Sequence, residues 1–386
     1  MIAVFVLLSS VIIVSRSSGN KSVSTPSEAA PLTEMRGVWI PYMTLDTEGA
    51  SDVKAAFIEK ADTILSEVSD GGFNTVVVQV RPFCDALYRS RIFPWSHILT
   101  GVQGQDPGFD PLEYLCKACR NANIQIHAWV NPYRVSTANT PDTLSPDNPY
   151  LQDKEIGFEL NGAIYLNPAS DRARELVTEG VRELIENYDI DGIQFDDYFY
   201  PENCGDFDAS DYDTYCQSVS SPLSLSEWRC ENVNTLIKNV YDAVHSVDGM
   251  VFGISPQGNL GNNQGLYADV VKWCECDGYI DYICPQLYFS IDNPALGFED
   301  GLDEWLKVSQ HDGLQFYVGI AGYKAGTDAD EGTWADNSDI LTTEIEIVRK
   351  HQLDGFLLYS YDSFHNDDNE IEVQNVMRYL TSSPTQ

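Results

Sequence analysis

The chain has 386 residues, 43% of them hydrophobic, which is enough for one large globular domain or two ordinary ones. Its 23 Lys and Arg residues against 59 Asp and Glu residues give a formal net charge of -36. A surface this acidic repels nucleic acid and anionic lipid, so we expect no nucleic-acid partner and no stable membrane partner beyond a possible N-terminal anchor. We expect a neutral or cationic binding partner, unless the acidity only reflects a saline habitat.

The first 14 residues, MIAVFVLLSSVIIV, are apolar but too short to span a bilayer comfortably. A polar, Ser-rich tract from residue 15 to 27 follows and can hold a cleavage site. We therefore predict a signal peptide within residues 1–30, a secreted or cell-envelope protein, and a single domain over residues 31–386. Because Arg16 follows the apolar run, where a signal peptide has its basic residues in front, an uncleaved N-terminal anchor is the alternative.

The nine cysteines are an odd number, so at least one thiol stays free even if export allows disulfides. Cys116 and Cys119 form a C-x-x-C inside PLEYLCKACRNANI, a helical pattern in which residues three apart share a face. No second C-x-x-C occurs. We interpret the two cysteines as buried or disulfide-bonded on one helix face, with zinc binding as the alternative. We expect no metal and no cofactor.

Strand-like and helix-like segments alternate from residue 34 onward. The strand-like segments are 34–40, 75–81, 125–130, 192–195, 250–254, 282–287, 315–320 and 355–359. The helix-like segments are 52–69, 111–121, 172–188, 227–247, 265–276, 302–311, 339–351 and 369–380. Segment 75–81, TVVVQVR, is β-branched with little alternation, which is typical of a strand buried on both faces of a parallel sheet.

Eight strand–helix units over this length predict an α/β fold, a (β/α)8 TIM barrel with long βα loops. The longest loops are expected at 82–111 and 131–168 and in an acidic, cysteine-containing insertion that ends near residue 226. Long loops inside a compact domain are usually functional. An open doubly wound sheet is the alternative, but the G-x-G-x-x-G turn typical of that fold is absent.

The segment DGIQFDDYFYP ends the fourth predicted strand with two adjacent carboxylates, Asp196 and Asp197, followed by three aromatic residues. Successive strand residues face opposite sides, and the C-terminal strand ends of a (β/α)8 barrel carry its chemistry. We predict that Asp196 and Asp197 are catalytic. The alternative is an Asp pair that caps a turn, although a solvated turn rarely needs three aromatic neighbours.

The other strand ends bring amides, aromatic rings and a few cations to the same rim. We predict that substrate is bound by Gln79, Arg81, Trp129, Asn131, Tyr133, Arg134, Tyr198, Gln257, Gln286, Tyr288, Tyr361 and Asp362. Four further rim residues have no assigned role: Trp39, Ser255, Tyr323 and Tyr359. Aromatic rings stack on sugar faces, while amides and carboxylates bind hydroxyls, so the set favours a carbohydrate substrate. About half of the aromatics can instead simply fill the barrel mouth.

Arg81 and Arg134 end two strands and can grip a carboxylate-bearing sugar such as a muramic unit. Holding the catalytic Asp residues in place is the equal alternative. Other chemistries are disfavoured: the six histidines form no H-E-x-x-H, no G-x-S-x-G marks a serine hydrolase, and GYKAG is a weak match to a phosphate-binding loop.

Several segments closely resemble the glycosyl hydrolase-like 10 family, among them EMRGVWI, GGFNTVVVQVRPFCDALYRS, GFDPLEYLCKACRNANIQIHAWVNPYRV, DGIQFDDYFYP and GFLLYSYDSF. The resemblance extends in order over about residues 34–380. It implies a (β/α)8 glycoside hydrolase, commonly exported, in a group that includes enzymes cleaving peptidoglycan strands without peptides. Members need not share one glycan, and the acidic insertion between Glu202 and Trp228 departs from the family pattern.

Glycosidases place two carboxyl groups across the scissile bond, roughly 5 Å apart for retention and 6.5 to 9.5 Å for inversion. Adjacent residues cannot readily lie on both sides of a bond, so a partner is expected from another loop; the candidates are Asp85, Glu202, Glu331 and Asp362. On an N-acetylated substrate, the substrate's own carbonyl can be the nucleophile and the Asp pair would polarise it. The carboxyl that donates the proton should have a raised pKa. We thus predict polysaccharide hydrolysis, with an inactive glycan-binding barrel or a lyase as alternatives.

Overall fold

The computed structural model describes residues 34–335 and 337–382, and these belong to one compact unit. Eight parallel strands close into a barrel in which each strand pairs with its sequence neighbours. They are β1 (Met35–Ile40), β2 (Thr75–Arg81), β3 (Gln125–Val130), β4 (Gly192–Phe195), β5 (Val251–Ile254), β6 (Tyr282–Ile283), β7 (Gln315–Ala321) and β8 (Gly355–Tyr359). The predicted (β/α)8 barrel is confirmed. The predicted signal peptide lies outside the described residues.

A helix follows each barrel strand. These helices are Val53–Asp70, Pro111–Ala122, Asp171–Asn187, Leu225–Val244, Val270–Glu275, Phe298–Leu306, Ile340–Lys350 and Glu370–Ser382. Three more α-helices lie within the described loops: His97–Thr100, Pro149–Gln152 and Ala209–Ser218. Among the helices that the structure describes, none is both long and apolar enough to cross a membrane.

The helix starts show why these segments fold as they do. Asp52 and Asp110 cap their helices by accepting the backbone N–H three residues ahead, and Pro111 occupies the first turn, where its missing N–H costs nothing. Ser224 and Glu227 form a reciprocal capping box, so the fourth barrel helix begins at Leu225, two residues before the predicted start.

The hydrophobic core has two parts, one between the strands and the helices and one inside the barrel. Outward-facing strand residues pack against the helices, while inward-facing residues fill the barrel itself: Met35, Trp39, Val77, Trp129, Tyr282, Cys284, Tyr317 and Leu357. Gly253 on β5 makes room for this filling, because a Cβ there would lie 2.1 Å from the Tyr282 ring. The interior is therefore packed, and open space remains at the C-terminal mouth of the barrel.

Three predicted elements are wrong in extent, and one of them, the helix predicted over 302–311, spans Phe298–Leu306. Strand β6 ends at Ile283 instead of residue 287 because Pro285 has no N–H to donate, although Gln286 still bridges to Gln257 and Gly319. The helix predicted over 265–276 is a 3-10 turn, Leu260–Leu266, followed by the short helix Val270–Glu275. The helix is interrupted between these two elements because Tyr267 adopts a left-handed conformation with φ 54°.

The long loops are partly ordered by secondary structure that the sequence did not indicate. The loop after β3 contains a three-stranded antiparallel sheet of Arg134–Ser136, Gly157–Leu160 and Ala163–Leu166. The acidic insertion after β4 is anchored by Arg229, whose Nε donates to Asp208 Oδ2 at 2.8 Å and whose Nη2 donates to Gly205 O at 2.7 Å.

All nine cysteines have free thiols, and Cys116 and Cys119 are buried on one face of helix Pro111–Ala122. The helix-face interpretation thus fits, without a disulfide between them. Within 34–335 and 337–382, no three His, Cys, Asp or Glu side chains come together in a metal-binding arrangement.

Glu344, on helix Ile340–Lys350, is fully buried, and neither of its carboxyl oxygens has a hydrogen-bond partner among the described residues. Burial, and next the charge of Glu372, raises the pKa of Glu344 well above its ordinary value. The folded protein therefore keeps a proton that the unfolded chain releases above about pH 4.3, and its stability falls as pH rises from there.

We expect Glu344→Gln to raise the unfolding temperature at pH 8 by about 2 °C or more, and by less at pH 4. Calorimetry at both pH values checks this; equal shifts would contradict it.

Candidate active site

A cavity of about 260 Å³ opens at the C-terminal mouth of the barrel. It is lined by Trp39, Trp129, Gln194, Asp196, Asp197, Tyr198, Ser255, Gln286, Tyr288, Tyr323 and Tyr359. Its size suits one sugar unit better than a large cofactor. Cavities of about 510 and 430 Å³ lie elsewhere, one along helix Pro111–Ala122 and one between the loops after β2 and β3, and neither contains the Asp pair.

Asp196 follows β4 and faces the barrel axis, as Gln194 does two residues earlier. Its Oδ2 accepts hydrogen bonds from Trp129 Nε1 at 3.1 Å and from Asn131 Nδ2. Its Oδ1 accepts the Tyr198 backbone N–H at 3.3 Å. Donors from β3, from the loop after β3 and from the loop after β4 therefore hold this buried carboxyl in one orientation.

Asp197 turns toward the next two strands. Its Oδ2 accepts from Gln257 Nε2 at 3.0 Å, and its Oδ1 accepts from Gln286 Nε2 at 3.2 Å. Gln286 is itself oriented by a second bond, 2.9 Å long, to Ser255 O. Each oxygen of Asp197 thus has one amide donor and keeps a lone pair for another ligand.

The two carboxyl groups differ in their electrostatic surroundings. Burial, and next the charge of Asp197, raise the pKa of Asp196 to about 7, while the charge of Arg134 lowers it. Burial also raises the pKa of Asp197, while the amide donors Gln257 and Gln286 lower it. The arrangement favours a proton on Asp196 and a charge on Asp197 near neutral pH.

The floor of the cavity is a hydrogen-bonded chain of inward-facing side chains. Trp39 Nε1 donates to Gln194 Oε1 at 2.6 Å, and Gln194 Nε2 donates to the Tyr282 hydroxyl at 3.3 Å. That hydroxyl lies 3.0 Å from His127 Nδ1. Burial lowers the pKa of His127 to about 4, so this ring is neutral. The chain fixes the Trp39 indole beneath the cavity.

The wall opposite the Asp pair is made of tyrosines. Tyr359 ends β8, which lies across the ring from β4, and its ring centroid is 5.7 Å from Tyr288 and 5.8 Å from Tyr323. At the rim, Tyr198 is 53% exposed and Tyr323 is 45% exposed. The mouth therefore presents aromatic surface on both sides.

The structure brings most of the predicted site residues together. Asp196, Asp197, Trp129, Tyr198, Gln286 and Tyr288 line the cavity. Asn131 and Gln257 hold the two carboxyls, and Gln79 Nε2 orients Asn131 through a 2.6 Å bond to its Oδ1. The Arg134 guanidinium also binds that oxygen and lies 5.7 Å from the centre of the Tyr198 ring.

Four predicted binding residues are not brought to the cavity. Arg81 is buried beneath the loops, where it donates to Asn131 O at 2.6 Å and lies 4.4 Å from the centre of the Phe93 ring. Tyr133 is fully buried. The Tyr361 hydroxyl donates to Glu67 Oε2 at 2.6 Å, and Asp362 accepts from Thr44 Oγ1 at 2.9 Å. Inward–outward alternation ends with each strand, so it does not determine the direction of Tyr133, Tyr361 or Asp362. Arg81, the last residue of β2, follows a register shift between residues 79 and 81 that interrupts the alternation.

None of the four candidate partner carboxylates lines the cavity. Asp85 is buried in the loop after β2, bound by Gln103 Nε2 at 3.0 Å. Glu331 is exposed on a separate turn. Asp362 accepts a hydrogen bond from Thr44. Glu202 is exposed, and its charge contributes to the raised pKa of Asp197.

Five residues that line the cavity have no predicted role. Trp39, Ser255, Tyr323 and Tyr359 lie on the predicted rim, and Gln194 lies within the fourth predicted strand. The available signal for Gln194 was the two-residue spacing from Asp196, which puts both side chains on the inner face of β4.

The sequence profile of the Glycosyl hydrolase-like 10 family matches residues 34–336. Glycosyl hydrolase YngK of Bacillus subtilis is 33% identical over 358 residues, 85% of this chain and 69% of that protein. Glycosyl hydrolase DigH of Escherichia coli K12 is 29% identical over 407 residues, 95% of this chain and 90% of that protein.

Solved structures that share the fold include the following two. The PgaB (BpsB) glycoside hydrolase domain from Bordetella bronchiseptica aligns with a TM-score of 0.59 at 13% identity, over 89% of this chain and 99% of that one. The catalytic domain of β-amylase from Paenibacillus polymyxa aligns with a TM-score of 0.57 at 11% identity, over 92% and 100%. With the family profile matching most of its length, the chain belongs to the glycosyl hydrolase-like 10 family.

Proposed function

We propose that this protein hydrolyses glycosidic bonds in a polysaccharide built from amino sugars, with peptidoglycan strands that lack peptides as the leading substrate. Family membership supports a glycoside hydrolase role. The observation that carries the proposal is the Asp196–Asp197 pair, two buried carboxyls with different hydrogen-bond partners in one sugar-sized cavity.

In this proposal the two carboxyls have separate tasks. Asp196 donates a proton to the leaving oxygen, since a general acid works best when its pKa lies near the working pH. Asp197, held by two amide donors, keeps its charge and stabilises the positive charge that develops on the sugar.

The surroundings of the pair support a glycan ligand that carries an acid. Indole and phenol rings form the floor and far wall, where sugar faces can stack. Arg134 is a partly exposed cation at the rim of a chain whose net charge is -36. Its guanidinium suits the lactyl carboxylate of a muramic residue, which would otherwise be repelled.

The assignment of Asp196 as the acid predicts a pH profile. Asp196 holds its proton below its pKa, so kcat/KM should fall as pH rises through about 7. The Arg134 charge lowers the pKa of Asp196, so Arg134→Gln should move this alkaline limb to higher pH, by up to about one unit. Rates measured from pH 5 to 9 check both statements. If the alkaline limb of Arg134→Gln lies at the same pH as that of the native protein, the assignment of Asp196 as the acid is wrong.

The function is tested by incubating the protein with a panel of purified glycans, including peptidoglycan with and without its peptides and stripped strands whose carboxyl groups have been reduced. We expect new reducing ends from the stripped strands and slower release from the reduced ones. Unsaturated or anhydro products would favour the lyase alternative. Binding without any cleavage would favour an inactive glycan-binding barrel, and neither binding nor cleavage of any glycan would overturn the proposal.

We further propose that the protein is exported, because such a substrate lies outside the cytoplasm and residues 1–14 are apolar. Cell fractionation and N-terminal sequencing of the mature protein test this. A protein confined to the cytoplasm with residue 1 intact would contradict it.

A further inference from the structure

The cavity has carboxylates on one wall only. Its lining residues include Asp196 and Asp197 and no other acid, and the facing wall is formed by Tyr288, Tyr323 and Tyr359. A double-displacement or inverting mechanism needs a second carboxyl on the far side of the scissile bond, roughly 5 to 9.5 Å from the first. The facing wall therefore supplies neither a carboxylate nucleophile nor a carboxylate base for water.

Tyr359 is one of three tyrosines on the wall that faces the Asp pair, and it is the one on the strand directly across the ring. It ends β8, four strands around the ring from β4, and its ring is 6.0 Å from Trp39 and 6.5 Å from Trp129. Aromatic neighbours on several sides fix this ring, yet its hydroxyl has no hydrogen-bond partner among residues 34–335 and 337–382. Burial raises the pKa of Tyr359 to about 12, so the hydroxyl remains a donor at neutral pH.

We propose that the 2-acetamido group of the substrate is the nucleophile and that Asp197 and Tyr359 hold it from opposite walls. Asp197 accepts the acetamido N–H, Tyr359 donates to its carbonyl oxygen, and the indoles of Trp39 and Trp129 receive its methyl group. The N–H and C=O of a trans amide point in opposite directions, which suits an acceptor and a donor on facing walls. This inference rests on the proposed function.

Adjacent carboxylates suit this mechanism because the two groups they serve lie on neighbouring ring carbons. Asp196 gives its proton to the glycosidic oxygen as the C1–O bond breaks, and the acetamido oxygen bonds to C1. The resulting oxazolinium ion is stabilised by the Asp197 charge on its N–H. Water then adds to C1 and gives a proton to Asp196, the C1–O bond to the acetamido oxygen breaks, and the product keeps the configuration of the substrate.

The test uses the thiazoline derived from N-acetylglucosamine, a stable mimic of the bicyclic intermediate, with N-acetylglucosamine as the reference. Calorimetry should show the native protein binding the thiazoline at least about 100-fold more tightly than the sugar. Tyr359→Phe keeps the ring but loses the donor, so its thiazoline affinity should fall about tenfold and kcat about 100-fold. Tyr361→Phe, whose hydroxyl binds Glu67 away from the cavity, is the matched control and should behave as native.

The variant Glu202→Gln distinguishes this inference from an alternative mechanism in which a carboxylate on the loop after β4 is the nucleophile. We expect the variant to cleave glycan at close to the native rate. If the native protein cleaves a glycan but binds the thiazoline no more tightly than N-acetylglucosamine, or if Glu202→Gln abolishes cleavage, the inference is wrong while the proposed function stands. If the native protein cleaves no glycan and binds neither probe, both are wrong.

Discussion

Asp197→Asn is expected to lower the rate of reducing-end release from its glycan by at least about 1,000-fold while glycan binding stays detectable. The variant removes the charge that stabilises the transition state. It also lowers the pKa of Asp196, because the Asp197 charge is the second cause, after burial, that raises it, so a smaller fraction of Asp196 is protonated near neutral pH. Asparagine has the same size and its carbonyl can still accept from Gln257 or Gln286, so the cavity should keep its shape.

Release of reducing ends under saturating glycan measures the effect, and calorimetry with the same glycan measures binding. Asp362→Asn is the matched control, since Asp362 is a strand-end acid that binds Thr44 and does not line the cavity. Unchanged cleavage by Asp197→Asn would remove Asp197 from the mechanism.

Arg229→Met should strongly destabilise the attachment of the acidic insertion to the barrel. Arg229 is 3% exposed and Asp208 is 0% exposed, and their ion pair joins helix Leu225–Val244 to the insertion. Removing the cation leaves a buried carboxylate unpaired, which typically costs about 3 to 5 kcal/mol. Arg229 also binds Gly205 O, in the loop that continues from Asp197 and Tyr198, so we expect activity to fall as well.

Denaturant unfolding of native protein, Arg229→Met and the double variant Arg229→Met/Asp208→Leu measures this cost. The double variant should recover much of the lost stability, because it removes the unpaired charge. A loss below about 1 kcal/mol in the single variant would show that the pair behaves like a surface ion pair.

The sequence was sufficient for the barrel because each strand and helix carries a local signal. The β-branched residues of β2 predict a strand without reference to the rest of the chain. The N-cap and the apolar periodicity of the next barrel helix predict a helix in the same way. The Asp pair could be placed for the same reason, since it directly follows a short buried strand and the end of such a strand lies at the active rim. The antiparallel sheet in the loop after β3 carries no comparable local signal.

The side-chain positions beyond the strand ends could not be predicted in the same way. Gln79 and Trp129 lie within strands, where alternation decides which way they face, and both are found at or near the cavity. Arg81 follows a register shift between residues 79 and 81, and Tyr361 begins a 3-10 turn, so alternation no longer applies to them. The role inferred for Tyr359 depends on β8 facing β4, which is a property of the closed ring rather than of any local segment.

The central claim is that the Asp pair catalyses hydrolysis of a glycan. It is tested most directly by digesting stripped peptidoglycan strands in water enriched in heavy oxygen and analysing the fragments by mass spectrometry. The account predicts fragments that carry one heavy oxygen atom at each new reducing end, and none from Asp197→Asn. Unlabelled anhydro fragments, or labelled fragments released equally by Asp197→Asn, would contradict it.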